Sequence, residues 1–432
     1  MRVIADLHIH SRYSRATSQK ICVEEIARFA RMKGLNLVGT GDFTHPRWLE
    51  ELQETLAKES ETDLYRTAKK TESRVRFMIT AEVSTIFTFE NEVKKIHHVV
   101  LTPSIETAFQ INGRLEKYGD LAVDGRPTLN MDAPHLVEEI MEGSRENMVF
   151  PAHAWTPWFS IFGAFSGFNS VEDCYQDMTK HIHALETGLS SDPPMNWRLS
   201  ELDKYALVSN SDSHSVWPWR IGREANVFEL KRLSYNEIVD AIRSKDKEQF
   251  KFTIETDPAY GKYHWTGHRN CNVALSPQEA VKLGNICPVC RRKLTRGVEQ
   301  RVEELADRHA GFKPENAIDF MRLLPLSEII TAVLGTSSPY AQKVWGIYNK
   351  LVERFGDEYA VLIDATKDAL NKVVDEKIAE AIIRVREGKV KVIPGYDGVY
   401  GRLAIFEENV CENPFPRRVQ QLNLTDFTEK NQ

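Results

Sequence analysis

No apolar run in this 432-residue sequence is long enough to span a bilayer, and the chain enters a strand-like run at Val3-Ile4-Ala5 with no secretory leader before it. We therefore expect an intracellular, cytoplasmic chain with no membrane partner. An excess of basic charge is also missing. The formal net charge is -6, so contact with nucleic acid has to come from local basic patches rather than from the charge of the whole molecule. Cysteine is sparse: of six, Cys22, Cys174 and Cys411 stand alone, and only Cys271, Cys287 and Cys290 cluster. In an intracellular chain such a cluster points to metal before disulfide. The length allows two or three domains with sizeable cores.

Histidine and carboxylate at the ends of strand-like runs are what the sequence does have. The first run ends in His8-Ile9-His10, and this spacing puts both imidazoles on one face of a strand. Later runs end in Asp42 and His45, in Glu82, in His97-His98, in His153, in Glu186, and in Asp212 and His214. Helical spacing of apolar residues lies between them at 23–33, 48–59, 105–117, 133–142, 194–202 and 234–243. The alternation argues for an α/β fold of parallel strands and crossover helices, with donors gathered at strand C-termini as in a β/α barrel. Imidazoles and carboxylates without thiolates suit zinc, manganese or iron, and magnesium less well. Two or three such ions can hold the attacking and leaving oxygens of an in-line displacement at phosphorus.

Several positions carry a second reading. His97 and His98 point to opposite faces, so only one enters the site; His98 is taken as that one. Asp42 and His45 precede Pro46, where a helix start also favours a capping residue. Glu186 fits a partner that orients a histidine. Trp155, Trp158, Phe159, Phe162, Phe165 and Phe168 directly follow His153 and suit a loop that stacks an extruded base, or else a hydrophobic plug. Arg220 and Arg223 would meet phosphate, or pair with Glu224 or Glu229.

After about residue 251 the composition changes. His268-x2-Cys271 and Cys287-x2-Cys290 have the spacing of a closed four-ligand zinc site, with His264 competing for the fourth place. Arg291, Arg292 and Lys293 follow at once and fit a phosphate backbone, as do Lys389 and Lys391 beside a Gly-Tyr turn. Helical patterns fill 326–334, 338–355, 358–374 and 375–387. In the tail, Gln421, Leu424 and Phe427 have the spacing of a sliding-clamp-binding peptide, although Thr428 replaces the usual second aromatic. We divide the chain into a phosphoesterase domain (1–250), a zinc-binding module (251–312), a helical DNA-binding domain (313–416) and a tail (417–432).

The order of the strand-end motifs resembles the polymerase and histidinol phosphatase (PHP) superfamily of metal-dependent phosphoesterases over the first half of the chain. The zinc spacing, the Pro325-Leu326-Ser327-Glu328-Ile329-Ile330 start and Pro394-Gly395-Tyr396-Asp397-Gly398 are similar to one branch, the endonuclease Q family of archaeal DNA repair nucleases and their bacterial relatives. The resemblance implies a distorted (βα)7 barrel followed by a zinc module and an α-helical domain. It also implies one ion on His8, His10, Glu82 and Asp212, a second on Glu82, His98 and His153, and a third on His214 with Asp42 or His45. Many relatives carry another His or Asp just after the first motif, where this chain reads Ser11-Arg12-Tyr13-Ser14, so the third site stays open. Glu82, His153 and Asp212 would be central to catalysis. The implied activity is that of a nucleoid-associated endodeoxyribonuclease. It would cut 5′ to deaminated bases (uracil, hypoxanthine, xanthine) or abasic sites through a metal-activated hydroxide, leaving a 3′-hydroxyl and a 5′-phosphate. A small-molecule phosphatase on the same barrel is the alternative, and a clamp-associated scaffold with a vestigial metal cluster is a third reading.

Overall fold

The computed structural model describes residues 1–69 and 74–406. The first strand, Arg2–Asp6, is buried at every residue after Arg2, which is why its apolar run is continuous rather than alternating. It pairs in parallel with Leu37–Gly39, and that strand in turn with Arg76–Phe89. Arg76–Phe89 then runs antiparallel to Glu92–Thr102, which runs antiparallel to Met148–Pro151. Ala184–Glu186 and Ala206–Val208 form a parallel pair. Bridges at Val149–Ile182 and Ile9–Ser213 join that pair to its neighbours on either side, so seven strands follow one another in a ring.

The ring is mixed rather than all-parallel, and the cause is local. Glu90 and Asn91 both have positive φ (48° and 66°), the backbone of a two-residue hairpin turn that leaves no room for a crossover helix. On the outer side of the first strand the sheet continues through Ala225–Glu229 and Phe250–Glu255, both antiparallel, to Asp319–Arg322, which is parallel to its neighbour. The boundary drawn at 250 thus falls at the start of a strand of the main sheet. The segment 256–318 is an excursion between two neighbouring strands.

Most helices start and stop where their caps dictate. Val23–Lys33 ends at Gly34 in the left-handed region (φ 98°), and Ile105–Leu115, Ala133–Gly143 and Tyr235–Ser244 are capped by the side chains of Ser104, Asp132 and Ser234. Three expectations change. The 48–59 helix is Pro46–Thr55 followed by the strand Leu56–Glu59, which turns back on Leu64–Thr67. The 194–202 helix is two short turns, Pro193–Asn196 and Ser200–Lys204. The 358–374 helix is broken into Ala360–Asp364 and Lys367–Asn371, the second capped by Thr366.

Leu326–Leu334, Gln342–Phe355 and Glu376–Arg386 form a helical layer whose apolar faces share one continuous core with the strands and helices of the first half. A buried ion pair fastens the joint. Lys33 Nζ lies 2.7 Å from Glu358 Oε1 and donates to the Pro218 carbonyl at 2.9 Å, while Glu358 also accepts from the Leu326 N–H and the Tyr348 hydroxyl. Removing one partner of so buried a pair costs about 3–5 kcal/mol. The excursion contains a small hairpin, Thr266–His268 with Val273–Leu275, and a core of only Val273, Cys287 and Leu294. No described helix is long and apolar enough to cross a membrane.

Candidate metal centre

Glu82 lies on the inner face of Arg76–Phe89 and is completely buried, with its two oxygens committed to two different groups of imidazoles. Oε1 is 2.8 Å from His97 Nδ1 and 2.9 Å from His153 Nε2. Oε2 is 3.2 Å from His10 Nε2 and 3.6 Å from His8 Nε2. Asp212 Oδ1 closes the second group, 2.9 Å from His10 Nε2 and 3.7 Å from His8 Nε2. Two sets of donors, each gathered within 4.8 Å, therefore share one carboxylate: His8, His10, Glu82 and Asp212, and Glu82, His97 and His153.

The residues behind the donors fix which nitrogen faces inward. His8 Nδ1 donates to Glu186 at 3.0 Å, and His10 Nδ1 donates to Asp42 at 2.9 Å, which leaves both Nε2 lone pairs directed at the carboxylates. Glu186 also accepts from the His153 N–H and from Asn210, so it ties three strand ends together. His8 Nε2 is buried and has no hydrogen-bond partner. An orphaned imidazole nitrogen between two carboxylates, at distances too long for hydrogen bonds, fits a divalent cation.

The carboxylates here favour positive charge, whether an ion or a protonated imidazole carries it. Burial of His8 opposes its charge, but Glu186 and Glu82 outweigh burial and hold the imidazole well above its ordinary pKa. Burial likewise opposes ionisation of Glu82, and His97, Arg126 and His8 override it to keep the carboxyl far below its usual range. Burial pushes His97 down to about 4, against the pull of Glu82, so it is a neutral donor at physiological pH. Asp42, His153 and Asp212 all have positive φ (51°, 29° and 46°), and each such residue stores about 1–3 kcal/mol of backbone strain. Gly188 allows the close approach behind His153, where a Cβ would lie 2.6 Å from the His153 Cβ.

Other expected members are placed elsewhere. His98 is turned away from the centre: its nitrogens meet Tyr175 Oη (2.8 Å) and Thr85 Oγ1 (3.0 Å), and burial lowers its pKa to about 3. The register decides this, because Ser84 pairs with His97 on the Glu82 face whereas Val83 pairs with His98 on the other. Asp42 supports His10 from behind instead of joining an ion site. His45 leaves the site altogether, with Nε2 donating to the Ala122 carbonyl at 3.2 Å and its ring stacked on Tyr13. His214 stays beside the centre, 4.4 Å from the His10 ring.

The aromatic loop is split. Trp155, Phe162 and Phe168 are core residues, Trp155 donating to Asn196, whereas Trp158 and Phe165 stack on each other at the surface. Trp158 and Phe159 line a cavity of about 700 Å³ that opens on His97, His153, Asp212 and His214. Tyr260, Lys262, Tyr263, His264 and Tyr400 supply its far wall. Arg220 and Arg223 line it too, and four buried polar atoms of its lining have no partner: Ser190 Oγ, Arg223 Nε, Thr256 Oγ1 and His264 Nδ1.

In the excursion, His268, Cys271, Cys287 and Cys290 bring four donor atoms within 4.8 Å, and His264 is not among them. Arg291, Arg292, Lys293, Lys389 and Lys391 are exposed. Gln421, Leu424 and Phe427 lie outside the described residues. Arg126, which nothing at a strand end announces, reaches Glu82 Oε2 with one guanidinium nitrogen at 3.0 Å.

A buried carboxylate shared by two groups of imidazoles, beside a cavity open to solvent, defines a metal-dependent hydrolase. The chain is 35% identical to a lesion-specific endonuclease from Pyrococcus furiosus, with a TM-score of 0.84 over 94% of this chain and 96% of that one. It is 34% identical to an endonuclease Q solved with a 27-mer duplex bearing an abasic lesion at its active site, with a TM-score of 0.83 over 98% and 100% of the two chains. The chain belongs to the endonuclease Q family. Residues 325–389 match the MJ0043 C-terminal domain. The Methanocaldococcus jannaschii protein MJ0043 is 33% identical over 266 residues, which cover 60% of this chain and 32% of that protein, so the chain spans about a third of its length.

Proposed function

We propose that this chain hydrolyses the DNA phosphodiester on the 5′ side of deaminated bases (uracil, hypoxanthine, xanthine) or abasic sites, leaving a 3′-hydroxyl and a 5′-phosphate. The observation that carries the reading is the position of the 700 Å³ cavity directly against the Glu82 centre, with both aromatic rings and unpartnered polar atoms in its lining. A base taken out of the stack needs both: ring faces to lie on, and donors and acceptors for its edge. Trp158, Phe159, Tyr260 and Tyr263 serve the first need, and Ser190, Arg223, Thr256 and His264 the second.

His8, His10, Glu82 and Asp212 would hold one divalent ion, zinc, manganese or magnesium, and Glu82, His97 and His153 another. When bound, these ions supply the Lewis acidity that makes water a nucleophile at neutral pH and offsets the phosphate charge. The protein's own part is orientation. Glu186 and Asp42 fix the tautomers of His8 and His10, the buried strand ends exclude bulk water behind the donors, and Arg220 at the cavity mouth meets the backbone. His268, Cys271, Cys287 and Cys290 would hold a structural zinc, presenting Arg291, Arg292 and Lys293 to the duplex. Lys389 and Lys391 would extend that contact. Gln421, Leu424 and Phe427 would recruit the enzyme to a sliding clamp on cytoplasmic, nucleoid-associated DNA.

The test is strand cleavage with manganese or magnesium on duplexes that carry one uracil, one abasic site or no lesion. A nick on the 5′ side of the lesion is expected, and equal cutting of the unmodified strand would defeat the specificity.

A further inference from the structure

We propose that Arg126 is a catalytic residue of this centre, a guanidinium clamp on the scissile phosphate that stands in the corner a third cation would otherwise occupy. The inference rests on the phosphodiester hydrolysis proposed above. Two sets of observations lead to it, one concerning the ligands such an ion would need and the other concerning what fills their place.

The side chains that would bind a third ion are engaged elsewhere. Asp42 spends one oxygen on His10 Nδ1 and the other on the Ser11 N–H at 2.6 Å and the Ser14 hydroxyl at 2.8 Å. His45 is held by the Ala122 carbonyl. His214 alone remains near, and its Nδ1 donates to the backbone carbonyl of Asp212 at 2.9 Å. One histidine does not hold a divalent ion without further donors.

The loop of residues 122–126 fills that corner. Besides Ala122, which takes His45, the Gly125 N–H donates to the Tyr13 carbonyl at 3.0 Å and the Gly125 carbonyl accepts from the Thr44 hydroxyl at 3.1 Å. Asp124 accepts from the Arg15 N–H and pairs with its guanidinium at 3.2 Å. The approach is so close that a Cβ on Gly125 would lie 2.3 Å from Asp42 Oδ2 and 2.4 Å from Ser14 Oγ. Only glycine permits it. The loop is thus stitched to both segments that were expected to supply a third ion, and the residue it delivers next is Arg126. One nitrogen of that guanidinium meets Glu82 Oε2, the side chain remains 24% exposed, and the group has five N–H donors in all. A fixed, planar cation with donors to spare beside a bridging carboxylate is suited to take a non-bridging phosphate oxygen and to bind it more tightly as charge builds up.

The full chain, loaded with manganese, is assayed on a duplex with one abasic site and on bis(p-nitrophenyl) phosphate, a phosphodiester with no base. Bound manganese is counted by mass spectrometry. In Arg126→Ala the single-turnover rate should fall roughly 10²–10³-fold on both substrates. The manganese count should stay that of two ions, and added guanidinium chloride should restore part of the rate. Arg126→Lys should fall between the two, and together with Arg126→Gln it keeps the test decisive if the alanine variant does not fold. An undiminished rate, a third manganese in the wild type, or a loss that follows metal release and is not rescued by guanidinium would each overturn the proposal. A wild type that cuts neither substrate overturns this reading together with the hydrolysis it rests on, whereas a cutting wild type with an equally active Arg126→Ala overturns this one alone.

Discussion

Glu255→Gln should make the protein more stable as the pH rises, by an amount that can be worked out from the floor beneath the metal centre. Glu255 is fully buried and accepts from the Thr253 hydroxyl at 2.6 Å and the Thr187 hydroxyl at 3.2 Å. Burial lifts its carboxyl from 4.5 to about 8, and the Asp192 carboxylate adds to the rise. Glu224, equally buried and bonded to the Thr256 N–H, is raised by burial and by Glu255 itself. The folded state therefore holds this proton more tightly than the unfolded chain does. Its contribution is complete below about pH 4.5 and is lost as the pH climbs towards 8. At about 1.4 kcal/mol per pH unit, and with two carboxyls that release protons in joint steps, the loss is on the order of 2–5 kcal/mol. Glutamine is neutral throughout. Melting curves of both proteins between about pH 5 and pH 8.5 should show a difference that grows in the variant's favour by several degrees. A difference that is flat with pH, or a variant that loses ground towards pH 8.5, would refute the assignment of a protonated carboxyl there.

Two further substitutions separate chemistry from scaffold. His97→Ala should lower nicking by about 10²-fold or more and weaken manganese binding measured by calorimetry, whereas His98→Ala should leave both in place and cost about 2–4 kcal/mol in denaturant unfolding, because it strands Tyr175 and Thr85 and opens a cavity. Cys287→Ser should melt the small hairpin module, seen as new protease cleavage between residues 266 and 297. Manganese binding at the Glu82 centre should survive and DNA affinity should fall.

The donors of the first ion could be read from the sequence because their signal is local. An H-x-H at a strand end shares a face by period alone, and Asp212 follows the end of its own strand, as His153 does in the second group. His97 could not be read so simply, since a face depends on register and register on the turn. Glu90-Asn91 lacks the glycine that usually marks a two-residue hairpin, so nothing in the sequence sets this pair apart from the general strand and helix alternation. Once both residues adopt positive φ, the pairing follows and puts His97 beside Glu82. Arg126, Ser190, Thr256 and His264 sit on loops or at strand ends with no periodicity, and distant segments bring them to the site. The zinc spacing did narrow its fourth donor to two histidines, and only the fold of the hairpin separates His268 from His264. Three of the four helices expected after residue 325 were legible in the apolar spacing, but the break between Asp364 and Lys367 was not, and neither was the attachment of the layer, which depends on one buried lysine in the first helix reaching Glu358 across more than 300 residues.

The most direct test of the central claim is cleavage of a duplex bearing one abasic site by the manganese-loaded wild type and by Glu82→Gln, with folding verified by melting. A nick by the wild type and essentially none by the variant, which also binds less manganese, is the result expected if one carboxylate unites two ion sites. Nicking by Glu82→Gln at the wild-type rate would contradict it.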